Sequence, residues 1–245
     1  MTYCLGIKVQ GGIVAVADTR ISTSNAEVYN NKKVSTHIIN DCPLFIMTSG
    51  LRSVRDKTII YFKQYIEEVA EVEGFKIDHM FQAASKLGDM IRKVSSEDKA
   101  ALKAEGYAFN VNAIIGGQMA KDEEHKLFLV FPEGNWIEIN EGLKFQIVGN
   151  PNYGKPLIYR NLRYDSSMKD ALKLGLLSFD ATQVSASDVG YPLDVIWYEK
   201  NSFKMIEHRL ELTDVAQVSS QWSALLTQAI AATDESWMKP VLDQV

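Results

Sequence analysis

The sequence has few cysteines and no long apolar run. Cys4 and Cys42 are the two cysteines in 245 residues, too few for a disulfide framework and typical of a reducing compartment. No apolar run approaches the roughly 20 residues that span a bilayer. The start of the sequence also lacks the charged leader and apolar segment of a secretion signal. We therefore expect a cytoplasmic protein with no membrane partner.

Basic tracts and clusters of metal ligands are also missing. The net charge is -5, and no run of lysine and arginine of the kind that binds nucleic acid occurs. The histidines, at positions 37, 79, 125 and 208, are scattered without the spacing of a zinc site. We expect no nucleic-acid partner, no metal and no cofactor.

The overall composition is that of a folded globular chain. Hydrophobic residues make up 46% and charged residues 23%, which suits a protein with a substantial core. No internal repeat, low-complexity segment or linker rich in proline and serine interrupts the sequence. We predict a single domain over residues 1–245.

Strand and helix patterns alternate in blocks along the chain. The runs CLGIKV, IVAVAD, KKVSTHIIN and CPLFIMTSG predict four strands, with a tight turn at QGG, and we expect these four to share one sheet. Two amphipathic helices follow, the second with Asp78 as its predicted N-cap. Further strands, two helices, a closing hairpin and a last amphipathic helix complete the chain. This order predicts an α+β fold with two sheets between helical layers.

Thr2 is the first residue with chemical interest. A hydroxyl attacks an amide only when a base lies within hydrogen-bond reach. If Met1 is removed, Thr2 carries its own base, because an α-amine titrates near about pH 7.7–8.0 and can take the hydroxyl proton. Thr2 is small enough for methionine aminopeptidase to remove Met1. Threonine is also common here as plain translation-start context, and its position alone leaves both interpretations open.

Charged residues follow Thr2 at positions that could bring them close to it. If Thr2 begins a strand paired with IVAVADTR, Asp18 lies at the far end of the partner strand, and Lys32 and Lys33 come after the next loop. A lysine beside the terminus would lower the pKa of the α-amine by like-charge repulsion, and an aspartate would hold that lysine in place. Such pairs are often surface charges, so spacing alone decides neither the role nor the lysine.

Three segments together resemble a known family. The sequence resembles the proteasome-type N-terminal-nucleophile hydrolases in three successive segments, GGIVAVADTR, NNKKVSTHI and MTSG. It is similar in particular to the bacterial ancestral β-subunit group, Anbu, in the segments MTYCLGIKV, TSGLRSVRDKT and NYGKPLIYR. The resemblance implies a four-layer αββα sandwich and a threonine peptidase that cleaves peptide or other amide bonds through an acyl-enzyme. It also implies self-assembly into a homo-oligomeric ring or open spiral. An ATP-dependent unfoldase as a further partner stays open.

The resemblance implies roles for individual residues. Thr2 matches the nucleophile, provided that Met1 is removed, and Asp18 matches the aspartate that orients a lysine. Lys33 is the better match to that lysine, because an aliphatic residue and then His37 follow it in the family's order, with Lys32 as the alternative.

The oxyanion hole and the specificity pocket follow from the same resemblance. Gly50 matches the glycine whose backbone N–H stabilises the oxyanion, with Ser49 as a neighbouring alternative. Ile21, Met47, Thr48 and Ser49 lie near the place of the family's substrate pocket, and we expect that pocket to be apolar.

Two positions depart from the family pattern. Asn150 stands in VGNPN where proteasome subunits have a serine, and DVGYPLD keeps Asp188 as a catalytic-site match but has Tyr191 in place of another serine. Both lost serines belong to the group that binds the terminal amine. The departures motivate two alternatives: an assembly or scaffold subunit with vestigial activity, and amide acyl transfer to an amine on a small peptide or metabolite.

Overall fold

A computed structural model describes residues 2–22, 28–72, 74 and 76–243. The chain divides into two compact units, one ending at Leu210 and the other starting at Glu211. The single domain over residues 1–245 stays a prediction.

The first half of the larger unit begins with strands and ends with two long helices. In chain order, its elements are β1 (Tyr3–Val9), β2 (Gly12–Asp18), β3 (Arg20–Ser22), β4 (Val28–Asn30), β5 (Val34–Ile39), β6 (Cys42–Gly50), α1 (Arg52–Ala70) and α2 (Met80–Ala104).

The second half of that unit returns to strands, adds two helices and closes with a hairpin. Its elements are β7 (Val111–Gly117), β8 (Lys126–Val130), β9 (Trp136–Glu138), β10 (Phe145–Gly149), α3 (Lys155–Asn161), α4 (Met168–Ser185), β11 (Leu193–Glu199) and β12 (Met205–Leu210). The smaller unit contains α5 (Leu212–Ala231), a 3-10 turn (Ser236–Met238) and α6 (Lys239–Leu242).

The described strands form two antiparallel sheets and a short ribbon. One five-stranded sheet has the order β10-β1-β2-β11-β12, and the other has the order β5-β6-β7-β8-β9, while β3 pairs with β4. The prediction that the first four strands share one sheet is wrong. Alternating residues identify each hairpin, such as the one that pairs Cys4 with Ala17, but they do not say which hairpins lie side by side. The outer neighbours of β1 and β2 are β10 and β11, which come much later in the chain.

The two sheets pack face to face, with helices on both outer faces. On β1, Leu5 and Ile7 pack in one core cluster with Phe179 of α4. Cys4 points the other way, into a cluster between the sheets that includes Met47 of β6. The helices α1 and α2 cover the outer face of the second sheet. The predicted α+β fold, a four-layer αββα sandwich, is confirmed.

The helix boundaries differ from expectation at α2. His79, not Asp78, is the N-cap, and it forms a capping box in which the Gln82 side chain accepts a hydrogen bond from the His79 backbone N–H at 3.0 Å. Asp78 instead forms an ion pair with Lys121. Within the described ranges, no helix is long and apolar enough to cross a membrane.

Candidate active site

The β1–β2 hairpin brings Asp18 next to the start of the chain. Cys4 pairs with Ala17, so the next pair along the hairpin is Tyr3 and Asp18, and the Tyr3 backbone N–H donates to Asp18 Oδ1 at 2.7 Å. On the other side of β1, the backbone N–H of Asn150 donates to the Thr2 carbonyl oxygen at 2.8 Å. Thr2 is therefore held between two neighbouring segments and is buried.

Asp18 and Lys33 form a sealed ion pair. Lys33 Nζ lies 2.7 Å from both carboxylate oxygens of Asp18, and it also donates to the Arg20 carbonyl oxygen at 2.7 Å. The Lys33 side chain is 1% exposed and the Asp18 side chain is 0% exposed. Burial raises the pKa of Asp18, while the Lys33 ammonium and the Tyr3 N–H oppose that rise because they stabilise the carboxylate.

The structure distinguishes the two candidate lysines. Lys33 lies directly before β5 and turns inward to Asp18, whereas Lys32 is largely exposed and pairs with Glu207 of β12. The lysine beside Asp18 is therefore Lys33, as the order of residues around it favoured.

Gly50 ends β6 in a conformation that only glycine adopts easily. Its φ is +119°, and a Cβ there would lie 2.2 Å from the Asn110 carbonyl oxygen. The same oxygen accepts a hydrogen bond from the Leu51 backbone N–H at 2.9 Å, which fixes the turn from β6 into α1. Gly50 is thus required by the backbone path beside Thr2.

Gly149 is a second required glycine, and it is not among the residues predicted from the sequence. It pairs with Tyr3 at the end of β10, with φ at +103°. A Cβ there would lie 1.9 Å from the Thr2 carbonyl oxygen. The available signal was a glycine at the end of the apolar strand FQIVG, directly before Asn150.

A cavity of about 400 Å³ adjoins these residues. It brings together Thr2, Lys33 and Gly50, along with Ile21 and Ser49 of the predicted substrate pocket. Its described lining residues are Thr2, Ile21, Lys33, Ser49, Gly50, Leu51, Arg52, Arg55, Asn110 and Gly149. Larger cavities, of about 600 and 850 Å³, lie along β5 and α1. The 600 Å³ cavity shares Lys33 and Arg52 with the Thr2 cavity, but its described lining does not include Thr2 or Gly50.

Met47 and Thr48 are not among the lining residues of the Thr2 cavity. Met47 is fully buried between the sheets, and Thr48, one residue on, points to the opposite face of β6 and lines the 600 Å³ cavity. The described wall of the Thr2 cavity also includes Arg52 and Arg55, which are charged, and the apolar substrate pocket stays a prediction.

The two arginines were missed because charged helical residues usually face solvent. For Arg55 a signal existed. It lies four residues before Ile59 and seven before Phe62, and hence on the apolar stripe of α1.

The substituted positions make different contacts. The backbone of Asn150 holds Thr2, while its side-chain Oδ1 accepts a hydrogen bond from the Asn152 N–H at 3.2 Å. The Tyr191 ring packs edge-on against Phe179 with centroids 4.9 Å apart, and burial raises the pKa of its hydroxyl to about 12. The ring contact of Tyr191 is one that a serine could not make, whereas a serine at position 150 could accept the same backbone hydrogen bond more weakly.

Asp188 lies half-buried in the turn after α4. That turn is tied to the Lys33 end of the site, because Arg20 Nη1 donates to the Ser187 carbonyl oxygen at 2.8 Å. The Arg20 carbonyl in turn accepts the hydrogen bond from Lys33. Arg20 thus connects the turn that contains Asp188 to the Lys33–Asp18 pair.

Cys4 is close to Thr2 in sequence but is unsuited to attack a substrate. Burial raises the pKa of its thiol to about 12, so the thiol stays protonated near neutral pH. In the described part of the chain, no group of three or more His, Cys, Asp or Glu side chains is placed to hold a metal ion.

Comparison with known proteins identifies the family. The proteasome-subunit family profile matches residues 2–198. Anbu from Hyphomicrobium sp. strain MC1 is 30% identical, with a TM-score of 0.85 over 95% of this chain and 98% of that one. Anbu (ancestral beta-subunit) from Yersinia bercovieri is 25% identical, with a TM-score of 0.85 over 95% and 98%.

A third solved structure is described as the helical assembly of the Anbu complex from Pseudomonas aeruginosa. It is 26% identical, with a TM-score of 0.86 over 95% of this chain and 97% of that one. No curated protein matches. The chain belongs to the proteasome-subunit family, and within the N-terminal-nucleophile fold it is most like Anbu, the ancestral β-subunit.

Proposed function

We propose that this chain is a threonine hydrolase that cleaves peptide or other amide bonds through Thr2 after removal of Met1. The observation that carries the proposal is the sealed Lys33–Asp18 pair at the wall of the cavity that Thr2 lines. A buried ion pair is expensive to form and is weak support for stability. A fixed positive charge beside the nucleophile, in contrast, has a clear chemical use.

The reaction would begin with attack of the Thr2 hydroxyl oxygen on the substrate carbonyl carbon. The α-amine of Thr2 takes the hydroxyl proton, and the Lys33 ammonium, held by Asp18, favours the uncharged form of that amine by like-charge repulsion. The Gly50 N–H stabilises the oxyanion, a contribution of about 3 kcal/mol for one such donor.

The second half of the reaction would release the products. The protonated amine passes its proton to the leaving nitrogen as the C–N bond breaks, which leaves the acyl group as an ester on Thr2. A water molecule on the amine side then attacks the ester carbonyl and returns the proton to the Thr2 oxygen, and the carboxylic acid leaves. Asp188 would help to position the amine, because Arg20 connects the turn that contains Asp188 to Lys33.

The proposal is tested by the mass of the protein before and after reaction with a threonine-directed β-lactone. We expect the purified chain to lack Met1 and to gain one lactone mass, which peptide mapping assigns to Thr2. Thr2→Ala serves as the control and should gain nothing. Reaction of a chain that retains Met1, or of the Thr2→Ala variant, would contradict the proposal.

We further propose that the chain acts as a homo-oligomer in the cytoplasm. The helical assembly of the Pseudomonas aeruginosa Anbu supports self-association, and two buried free cysteines suit a reducing compartment. Sedimentation velocity should give a species several times the mass of one chain, and a monomer at micromolar concentration would contradict this part.

A second candidate function is an assembly subunit with vestigial catalysis. Asn150 and Tyr191 favour it, because their side chains contact Asn152 and Phe179 in place of the serines that bind the amine in the family. Absence of a lactone adduct on a chain shown to lack Met1 would select this candidate. If an adduct forms, product analysis with added amines separates hydrolysis from acyl transfer.

A further inference from the structure

Arg55 is a buried cation of the Thr2 cavity that lacks a carboxylate partner. It lies in the first turn of α1 and is 4% exposed. Its Nη1 donates to the Thr48 carbonyl oxygen at 3.3 Å, while its Nε has no hydrogen-bond partner in the described residues. A guanidinium has five N–H donors, and a buried donor without a partner has a free-energy cost, which here falls on the Nε–H.

The other cations of the cavity wall have their charges compensated. Lys33 is paired with Asp18, and Arg52 Nε lies 3.2 Å from Asp56 Oδ2. The described lining of the cavity includes no aspartate or glutamate. Within the part of the chain that the structure describes, no carboxylate forms an ion pair with Arg55. The cavity therefore holds one uncompensated positive charge next to the candidate nucleophile.

We infer that Arg55 binds a carboxylate of the substrate, and that the site prefers amide bonds whose acyl residue is glutamyl or aspartyl. The inference rests on the proposed function, because attack by Thr2 defines which residue is the acyl residue. The planar guanidinium fork matches a carboxylate in size and geometry, and charge-assisted pairs of this kind are among the strongest hydrogen bonds in proteins. A carboxylate in the cavity would give Arg55 Nε the partner that it lacks.

The position of Arg55 relative to Gly50 favours the acyl side chain as the source of this carboxylate. The Gly50 amide is the proposed site of the oxyanion, and α1 begins two residues later, so Arg55 follows the oxyanion donor by little more than one helical turn. The side chain of the acyl residue starts one bond away from the attacked carbonyl carbon, so in the proposed reaction it lies close to that turn. A carboxylate at the chain terminus of the substrate would have to come from the leaving side or from further along the peptide.

The first experiment compares matched peptide amides that differ only in the acyl residue, Glu, Gln or Leu. We expect wild-type kcat/KM to be about 10- to 100-fold higher for Glu than for Gln, the range of a hydrogen bond to a charged group. Arg55→Met should remove this ratio. Arg55→Lys should keep part of it, since the charge remains but the fork is lost. As a control, Arg92→Met removes an exposed arginine of α2, which is paired with Asp89, and should keep the full ratio.

The second experiment measures binding without chemistry. The Thr2→Ala protein is titrated with N-acetyl-glutamate amide and with N-acetyl-glutamine amide in a calorimeter, and we expect a Kd about 10- to 100-fold lower for the charged compound. Equal Kd values, or an unchanged Glu/Gln ratio in Arg55→Met, would overturn the inference even if Thr2 reacts with the lactone. Failure of the lactone reaction with preserved tighter binding of the glutamate amide would remove the proposed function and leave the anion site.

A purely structural role for Arg55 makes the opposite prediction. If Arg55 mainly held the Thr48 carbonyl, its loss would lower the unfolding free energy and leave the preference for Glu unchanged. We expect Arg55→Met to fold at least as stably as wild type, because it removes a buried charge that no described carboxylate compensates. Should Arg55→Met not fold, Arg55→Lys and the wild-type binding comparison still decide the matter.

Discussion

Two buried lysines lie near the opposite ends of β1, and they differ in the carboxylates that neutralise them. Lys33, beside Thr2, contacts both oxygens of Asp18, which is fully buried. Lys8, near the other end, pairs at 2.8 Å with Glu124, whose side chain is 28% exposed, and lies 3.8 Å from Glu138, which is 35% exposed. The Lys8 charge is thus shared with partly solvated acids, while the Lys33 charge is enclosed.

The comparison shows why a buried lysine is not by itself a sign of catalysis. Thr2 and Lys8 are both even-numbered positions of the same extended segment, so they point to the same side of it, between the sheets. Solvated partners screen the charge of Lys8. The enclosed pair of Lys33 and Asp18 acts at lower effective dielectric on the neighbouring terminus. Lys33 therefore differs from Lys8 in two ways: it lies beside the nucleophile, and its ion pair excludes water.

The largest expected difference between the two ends comes from removing each lysine. Lys33→Met should slow the reaction of Thr2 with the β-lactone by about 100- to 10,000-fold, the contribution of a general base, because the α-amine that accepts the proton loses the charge that keeps it unprotonated. Lys8→Met should change that rate less than about threefold and lower the unfolding free energy by about 1–3 kcal/mol, because the partly exposed Glu124 can be solvated once unpaired. Adduct formation over time and urea unfolding measure the two effects.

Lys33→Met alone leaves the Asp18 carboxylate buried without its partner, which destabilises a protein by about 3–5 kcal/mol. The double variant Asp18→Asn/Lys33→Met avoids this penalty and tests the chemistry in a folded protein. It should unfold within about 2 kcal/mol of wild type and remain slow toward the lactone. Fast acylation in this folded double variant would mean that the two buried lysines are equivalent, and the comparison would fail.

Local patterns predicted more of this site than long-range ones did. Thr2, Asp18 and Lys33 could be proposed as a group because one hairpin places Asp18 beside the start of β1 and Lys33 contacts Asp18, although their spacing left Lys32 open as an alternative. The sheet to which each hairpin belongs depends on strands more than a hundred residues away, such as β10, and alternation within a strand carries no such information. The same limit applies to Gly149, whose importance depends on its close approach to Thr2 from the neighbouring strand β10.

A smaller difference is expected from two glycines, one at each end of β1. At Gly149 a Cβ would lie 1.9 Å from the Thr2 carbonyl oxygen, and at Gly12 it would lie 2.1 Å from the Tyr198 carbonyl oxygen. Both Gly→Ala variants should lose about 1–3 kcal/mol of unfolding free energy through local strain. Only Gly149→Ala should also slow lactone acylation, by about 10- to 100-fold, since a displacement of Thr2 disturbs the attacking geometry.

To test this, the acylation rates of Gly12→Ala and Gly149→Ala are measured at equal fractions of folded protein. Similar slowing in Gly12→Ala and Gly149→Ala would show that general strain, and not the position of Thr2, controls the rate. Unchanged acylation in Gly149→Ala would show that Thr2 tolerates the displacement.

The last expected difference concerns stability and not catalysis, and it is a pH dependence at the Lys8 end. His125 is fully buried, and its Nε2 donates to the Val9 carbonyl oxygen at 2.8 Å. Burial, and secondly the charge of Lys8, lower the pKa of His125 from 6.5 to about 4. Below pH 6.5 the unfolded chain therefore binds a proton that the folded chain does not, so the unfolding free energy falls as the pH drops from 6.5 towards 4, by up to about 3 kcal/mol.

Urea unfolding at pH 7, 5.5 and 4.5 tests this sign. His125→Gln keeps a donor for the Val9 carbonyl and should flatten the decline, although His37, whose pKa burial also lowers to about 4, should leave a residual slope. His208→Gln replaces an exposed histidine of β12 and should keep the wild-type decline. If His125→Gln and His208→Gln decline alike, the buried imidazole at the Lys8 end is not the group that links stability to pH.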